Sequence, residues 1–394
     1  MKVPKSELDH RKINIQAQLQ QAGIDGLLIT QSVDMLYFSG TRSNGFLYIP
    51  CEGDPLLLIK QRRFVEKKEF AVKNMVGFKS IGEIPNLISD FYGRLPSVLA
   101  FELDVLPVNN FNRLRGIFTE QNCVDGSVYI LKVRRIKSNW EIEQMENTGR
   151  VFKKTFEYAK AAIRPGLSEM EFAGMMEAFA RNHSPDAFIR VRDIHTEGYP
   201  WHILSGKSGG MVGLLDSPAS GEGTSAAFPC GAGSKRLAAN EPIMIDFVFE
   251  LNGYHMDVTR MFSIGAMPKR AMKACQGAME IHDNVLKIVK PGVTVDELFR
   301  YSVSCARRLG YEEPYLGPPG EKVSFIGHGI GLELIEGPII AENKQEKLEP
   351  GMTFALEPKM VFKNKFSASI ESVFVVTDEG HRMISQVPVE VFIC

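Results

Sequence analysis

Near the start of the chain, apolar Leu8, Ile13, Ile15 and Leu19 stand among charges and glutamines. That spacing predicts an amphipathic helix over residues 5–22, closed by Gly23. Short apolar segments follow at 26–30, 45–50, 55–59, 97–101 and 127–131, and helical stretches near 62–73, 84–91 and 109–118 alternate with them. The alternation predicts an α/β domain with a mixed sheet. No catalytic constellation is visible in it. The basic run KVRRIK at 132–137 then leads into Ser138-x-x-Glu141, a capping box that opens a long helix to about Ile163. The pattern divides the chain into a domain over 1–132 and a second over 133–394.

The second domain carries an internal repeat. IRPGLSEMEF from Ile163 aligns with VKPGVTVDEL from Val289, each preceded by a helical pattern, and each with a capping box, Ser168 to Glu171 and Thr294 to Glu297. The two units imply a duplicated half-domain, with two unrelated helix junctions as the plainer alternative. Each half then supplies a hairpin. IMIDFVFELNGYHMDVTRMF, residues 243–262, has two apolar runs flanking Asn252-Gly253, the strongest short signal for a two-residue turn. That turn sets Val248 opposite Asp257 and Thr259 opposite Asp246. Side chains alternate with period two, so the two acids become diagonal neighbours on one face, roughly 7–8 Å apart at the backbone. A lone strand aspartate is commonly a solvated polar residue, but Asp246 sits in a run too apolar to be a wet edge.

In the second half, apolar runs at 352–362 and 369–377 are joined through Lys363, Asn364 and Lys365. If those three form the loop, Glu357 faces Glu371. Two like charges facing each other across a ladder are destabilising unless a cation lies between them. Pro358 cannot donate to the ladder, and a bulge there would shift the register. Between the hairpins, FIGHGIGLELIEGP brings His328 to a tight turn between glycines.

The collected set, Asp246, Asp257, His328, Glu357 and Glu371, is rich in oxygen with one nitrogen. It favours hard to borderline divalent ions, manganese first, with cobalt, iron or zinc open. Several of the acids can bridge, which suits two ions holding a hydroxide between them for attack on a carbonyl. Glu357 is the candidate general base and acid. Composition sets the frame. The chain has 394 residues, 44% hydrophobic and 24% charged, with a net charge of −1 and six scattered cysteines. This is the make-up of a soluble globular protein with no basic stripe for nucleic acid. The charged opening, the lack of an 18-residue apolar run and the lack of paired cysteines predict a cytoplasmic protein with reduced thiols and no membrane partner.

Asp246, Asp257 in NGYHMDVTR, His328 in GHGIGLE, Glu357 in ALEP and Glu371 in SIESVFVVTDEG resemble the five metal ligands of the pita-bread metallopeptidases. That family includes methionine aminopeptidase, aminopeptidase P, prolidase and the metal-free creatinase. The resemblance covers the chain from about residue 133 to the end, and the first domain is similar to the companion domain of the aminopeptidase P, prolidase and creatinase branch. It implies a pseudo-twofold α/β catalytic domain behind a smaller α/β domain, two divalent ions, a homodimer and a small peptide substrate, with Xaa-Pro dipeptidase or aminopeptidase activity. The chain departs from the family at two places: Cys230, in FPCGAG, and Ile335, in GLELIE, stand where peptidase members carry histidines that contact substrate. His202, at the head of a Gly- and Ser-rich segment expected to be a loop, is a candidate replacement imidazole. His255 is placed either at the pocket rim or in solvent. Cys230 is a candidate catalytic nucleophile, substrate contact or metal contact as well as an ordinary buried thiol. The same centre could instead hydrolyse a non-peptide C–N bond, or the fold could serve as a catalytically silent binding protein.

Overall fold

The structure, a computed structural model, describes residues 2–60, 72–184, 188–193, 202–213 and 217–394. The chain divides into two compact units, Met1–Arg134 and Arg135–Cys394. Among the described residues no helix is long and apolar enough to cross a membrane.

The first unit runs α1 (Lys5–Gln21), β1 (Gly26–Ile29), α2 (Ser32–Ser39), β2 (Gly45–Pro50), β3 (Leu56–Ile59), β4 (Asn74–Gly77), α3 (Ile84–Tyr92), β5 (Val98–Phe101), α4 (Val108–Arg115), β6 (Asn122–Asp125) and α5 (Ser127–Arg135), the last residue of α5 belonging to the second unit. Its sheet has the order β4-β3-β2-β1-β5-β6 and is mixed, as the alternating pattern predicts. Residues 127–131, expected as a strand, open helix α5 instead. Asp125 accepts from both the amide and the hydroxyl of Ser127 and starts the turn, and Ile130 and Val133 then face inward at helical spacing. The strand next to it is β6, whose mixed sequence NCVD gave no apolar signal. The helix expected over 62–73 falls almost wholly outside the described residues.

The second unit runs α6 (Asn139–Ala162), α7 (Glu169–His183), β7 (His202–Ser205), β8 (Ile243–Leu251), β9 (Tyr254–Ser263), α8 (Lys269–Leu286), α9 (Val295–Arg308), β10 (Phe325–Gly329), β11 (Glu336–Ala341), β12 (Thr353–Leu356), β13 (Lys359–Phe362), β14 (Phe366–Ser369), β15 (Ser372–Val376), β16 (His381–Met383) and β17 (Phe392–Ile393). The duplication is structural. Gly166 and Gly292 end the junctions after α6 and α8 with φ of 91° and 90°, and both capping boxes form. The amide of Gly166 donates to Leu237 and that of Gly292 to Leu348, while Leu237 and Leu348 donate back to Leu167 and Val293. This is the pita-bread arrangement of two related halves.

Each half's helices cover its hairpin. Phe152 and Phe156 of α6 lie 5.6 and 6.2 Å, ring to ring, from Phe247 and Phe262. On the other side, Ala271, Ala274 and Ala278 of α8 share a core with Met360 and Phe366. Asn252 and Gly253, at φ of 58° and 90°, form the turn between β8 and β9 and place Asp246 opposite Thr259 and Val248 opposite Asp257. In the second hairpin one register runs through two separate ladders: Leu356 faces Ser372 before the break and Lys359 faces Ser369 after it. Glu357 and Glu371 therefore face each other across a gap that Pro358, lacking an N–H, opens without a shift of register. The freed amides bond elsewhere, Glu357 to the Ile326 carbonyl at 2.8 Å and Glu371 to the Thr259 carbonyl at 3.1 Å. That second bond ties the two hairpins together.

One buried acid gives the first unit a pH dependence. Glu102 accepts from the amides of Thr30 and Gln31 at 2.6 and 2.9 Å. Burial, followed by the charge of Asp34, still pushes its carboxyl up to about 8. An acid with a raised folded pKa favours folding below its ordinary value of 4.5 and loses that contribution as the pH rises toward 8. Glu102→Gln keeps the acceptor and cannot ionise. It should flatten the fall in thermal midpoint between about pH 5 and about pH 9; a midpoint that falls as steeply as in the wild type contradicts this.

Candidate metal centre

The two hairpins and β10 bring Asp246, Asp257, His328, Glu357 and Glu371 to one place. His328 lies 3.9 Å from Asp257 and 3.9 Å from Glu357, measured from Nε2 to Oδ2 and Oε1. Ligand atoms of Asp257, His328 and Glu371 all fall within 4.8 Å of one another. By side-chain exposure His328, Asp257, Glu357 and Asp246 are alike, at 10%, 12%, 13% and 14%, and Glu371 is buried.

Local backbone explains the placement of the imidazole. Gly327 and Gly329 flank His328 where β10 pairs with β12 on one edge and β11 on the other. A Cβ at Gly327 would run into the Ala355 carbonyl oxygen, and one at Gly329 into that of Gly337. His328 Nδ1 lies 3.0 Å from the Gly329 carbonyl oxygen. A carbonyl only accepts, so Nδ1 carries a proton there and Nε2 faces the acids.

A residue that the ligand pattern does not include also enters the centre. Lys359, its side chain 1% exposed, places Nζ 3.3 Å from Asp246 Oδ2 and 3.7 Å from Glu357 Oε2. The signal was available: Lys359 follows Glu357 by two positions, and alternation puts both on one face. His202 arrives from β7, where it pairs with Asp246 across the ladder, and its Nδ1 is 3.7 Å from Asp246 Oδ2. It is a strand residue rather than a loop residue, because HILS is a short apolar strand ahead of the Gly-rich segment.

The charges separate the acids electrostatically. Burial pushes the Asp257 carboxyl well above the usual carboxylate range, and Asp246 and Glu357 add to the shift. Glu371 moves the same way through burial and then through Asp257 and Glu357. Burial would also raise Asp246, but Lys359 and His202 outweigh it and hold this carboxyl below the usual range. For Lys359, burial opposes the charge, and Asp246, Glu357 and Glu371 overcome it to leave the amine above the ordinary lysine value. The donor set fits a divalent ion. Asp257 Oδ1 is buried without a hydrogen-bond partner, and acidic oxygens with one imidazole nitrogen suit such an ion.

The remaining candidates lie differently. His255 is fully buried, not at a rim or in solvent. Its Nε2 accepts from the Arg190 amide at 3.0 Å, and its Nδ1 is 3.1 Å from the Gly331 carbonyl oxygen, so both ring nitrogens are committed to backbone. Cys230 is 6% exposed and Ile335 40%. The loop holding Cys230 is anchored by buried Glu169, which accepts from the amides of Ser205 at 2.7 Å and Gly233 at 3.1 Å.

Arg260 fastens the centre's frame. Its buried guanidinium donates to the carbonyls of Pro388 at 2.6 Å, Thr259 at 2.8 Å, Val387 at 2.7 Å and, closely, Glu371. Thr259 Oγ1 donates to Glu371 Oε2 at 2.8 Å. Replacement of Arg260 by Met leaves those buried acceptors unanswered and should cost about 3 kcal/mol or more in urea unfolding. A loss below about 1 kcal/mol would contradict the fastening role.

The chain matches the metallopeptidase family M24 over residues 143–378 and the creatinase/prolidase N-terminal domain over residues 11–136. An uncharacterised peptidase of Bacillus subtilis is 26% identical, with 95% of this chain and 97% of that protein covered. The Xaa-Pro dipeptidase of Pyrococcus furiosus is 24% identical, with 93% and 95% covered. Among solved structures, an Xaa-Pro dipeptidase from Bacillus anthracis superposes with a TM-score of 0.81 at 23% identity, covering 98% of this chain and all of that one. An X-Pro aminopeptidase from Thermotoga maritima gives 0.79 at 23% identity, over 96% of this chain and 100% of the other. The chain belongs to metallopeptidase family M24, with a creatinase/prolidase N-terminal domain ahead of its catalytic domain.

Proposed function

We propose that this enzyme is a divalent-metal-dependent hydrolase of small peptides, nearest in kind to an Xaa-Pro dipeptidase or aminopeptidase, with manganese as the first candidate ion. The observation that carries the reading is the convergence of Asp257, His328 and Glu371 on one buried point. A divalent ion held there supplies Lewis-acid polarisation of the scissile carbonyl and lowers the pKa of water. The protein does the rest. Glu357, whose Oε1 lies 3.9 Å from His328 Nε2, takes a proton from the attacking water at a carboxylate oxygen and returns it to the leaving amine. His202, beside Asp246, offers an imidazole N–H to the substrate carbonyl, while Cys230 and Ile335 contribute no imidazole. That lack is the observation favouring a second reading, hydrolysis of a non-peptide C–N bond at the same centre. A homodimer, which rests on the family resemblance, and a cytoplasmic setting, which rests on the scattered cysteines, belong to the same proposal.

Protein stripped of metal should be inert toward an Xaa-Pro dipeptide series and regain hydrolysis with Mn²⁺. Glu357→Gln should lower kcat by roughly 10²–10⁴-fold. Proline peptides left intact by metal-loaded protein would move the assignment to the non-peptide reading; no bound metal and no restored activity would favour a silent binding protein. Because Asp257 and Glu371 hold raised pKa values, an entering ion displaces protons. Calorimetry in buffers of different ionisation enthalpy should show net proton release, with Mn²⁺ affinity rising with pH. Affinity independent of pH would contradict this.

A further inference from the structure

Four carboxylates and an imidazole are the ligands of a centre expected from sequence to hold two divalent ions. The distances divide that centre. Asp257, His328 and Glu371 form the compact trio, and neither Asp246 nor Glu357 is part of it. Asp246 is engaged by a cation the protein carries covalently: Lys359 Nζ lies 3.3 Å from Asp246 Oδ2 and 3.7 Å from Glu357 Oε2. The other oxygen of Glu357 is 3.9 Å from His328 Nε2. Glu357 therefore spans two sites, its Oε1 toward the imidazole and its Oε2 toward the ammonium. The lysine is held there. Its side chain is 1% exposed, its backbone pairs with Ser369 in the β13–β14 ladder, and its carbonyl accepts from the Leu316 amide at 2.8 Å. A second divalent ion on Asp246 would have to share that carboxylate with an ammonium a few ångströms away, at like-charge repulsion little screened in a buried site.

We propose that the Lys359 ammonium fills one of the two cation positions, so that this protein takes a single divalent ion, held by Asp257, His328 and Glu371 with Glu357 shared between ion and lysine. The inference rests on the metal-dependent reading above and changes its stoichiometry. It also assigns Asp246 a different task, holding the lysine in place with His202 at its flank.

The test is Mn²⁺ stoichiometry by elemental analysis, with electron paramagnetic resonance of the full-length protein dialysed after loading. Wild type should retain about one Mn²⁺ per chain and give the spectrum of a magnetically isolated ion, and Lys359→Gly should retain about two with an exchange-coupled spectrum. Two coupled ions in the wild type overturn the proposal, and that measurement needs no variant. A folded Lys359→Gly protein that still retains one ion overturns it as well, since the lysine would not be what excludes the second. Absence of any bound ion from both proteins removes the metal-dependent reading itself, an outcome distinct from the other two.

Discussion

Four carboxylates converging on one point repel one another, and protons or positive charge among them must relieve that repulsion. The second domain is organised around that constraint. Its two halves each deliver a pair of acids on a hairpin, the Glu371 amide joins the hairpins by bonding to Thr259, and Arg260 clamps the junction from behind through backbone carbonyls. Removing two charges from water costs several kcal/mol per ion before any attraction is counted. The raised pKa values of Asp257 and Glu371, against the depressed one of Asp246, show where that cost is still unmet and where Lys359 already meets it.

The duplication supplies the geometry that makes the convergence possible. Equivalent Pro-Gly junctions, equivalent capping boxes and equivalent cross-bonds to Leu237 and Leu348 give each half the same helix pair. The halves then diverge where chemistry differs. The first hairpin is continuous, and the second is cut at Pro358, which frees the amides of Glu357 and Glu371 to bond outside their own ladder. A break of this kind in an otherwise paired ribbon lets two glutamates face inward without a change in strand register.

Much of this was legible in the sequence, for identifiable reasons. The Asn252-Gly253 turn fixes the first register by itself, and period-two alternation then places Asp246 and Asp257. The second register follows from a three-residue loop and survives the proline. Other features were hidden by their own chemistry. A five-residue apolar run such as 127–131 fits a strand or a buried helix turn equally well, and only the Asp125 cap decides for the helix. His255 reads as a polar residue next to a turn, but a distant backbone amide and carbonyl absorb both its nitrogens. Lys359 lies within reach of the alternation rule, but a lysine is ordinarily solvated surface and its burial among acids has no signal of its own in the sequence.

The central claim is that positive charge in this centre comes partly from a metal and partly from the chain. Anomalous diffraction at the manganese edge from crystals grown in Mn²⁺ tests it most directly. The account predicts one anomalous peak bounded by Asp257, His328 and Glu371, with Lys359 Nζ still against Asp246. A second peak between Asp246 and Asp257, with the lysine turned away, or a map with no peak among these side chains, would contradict it.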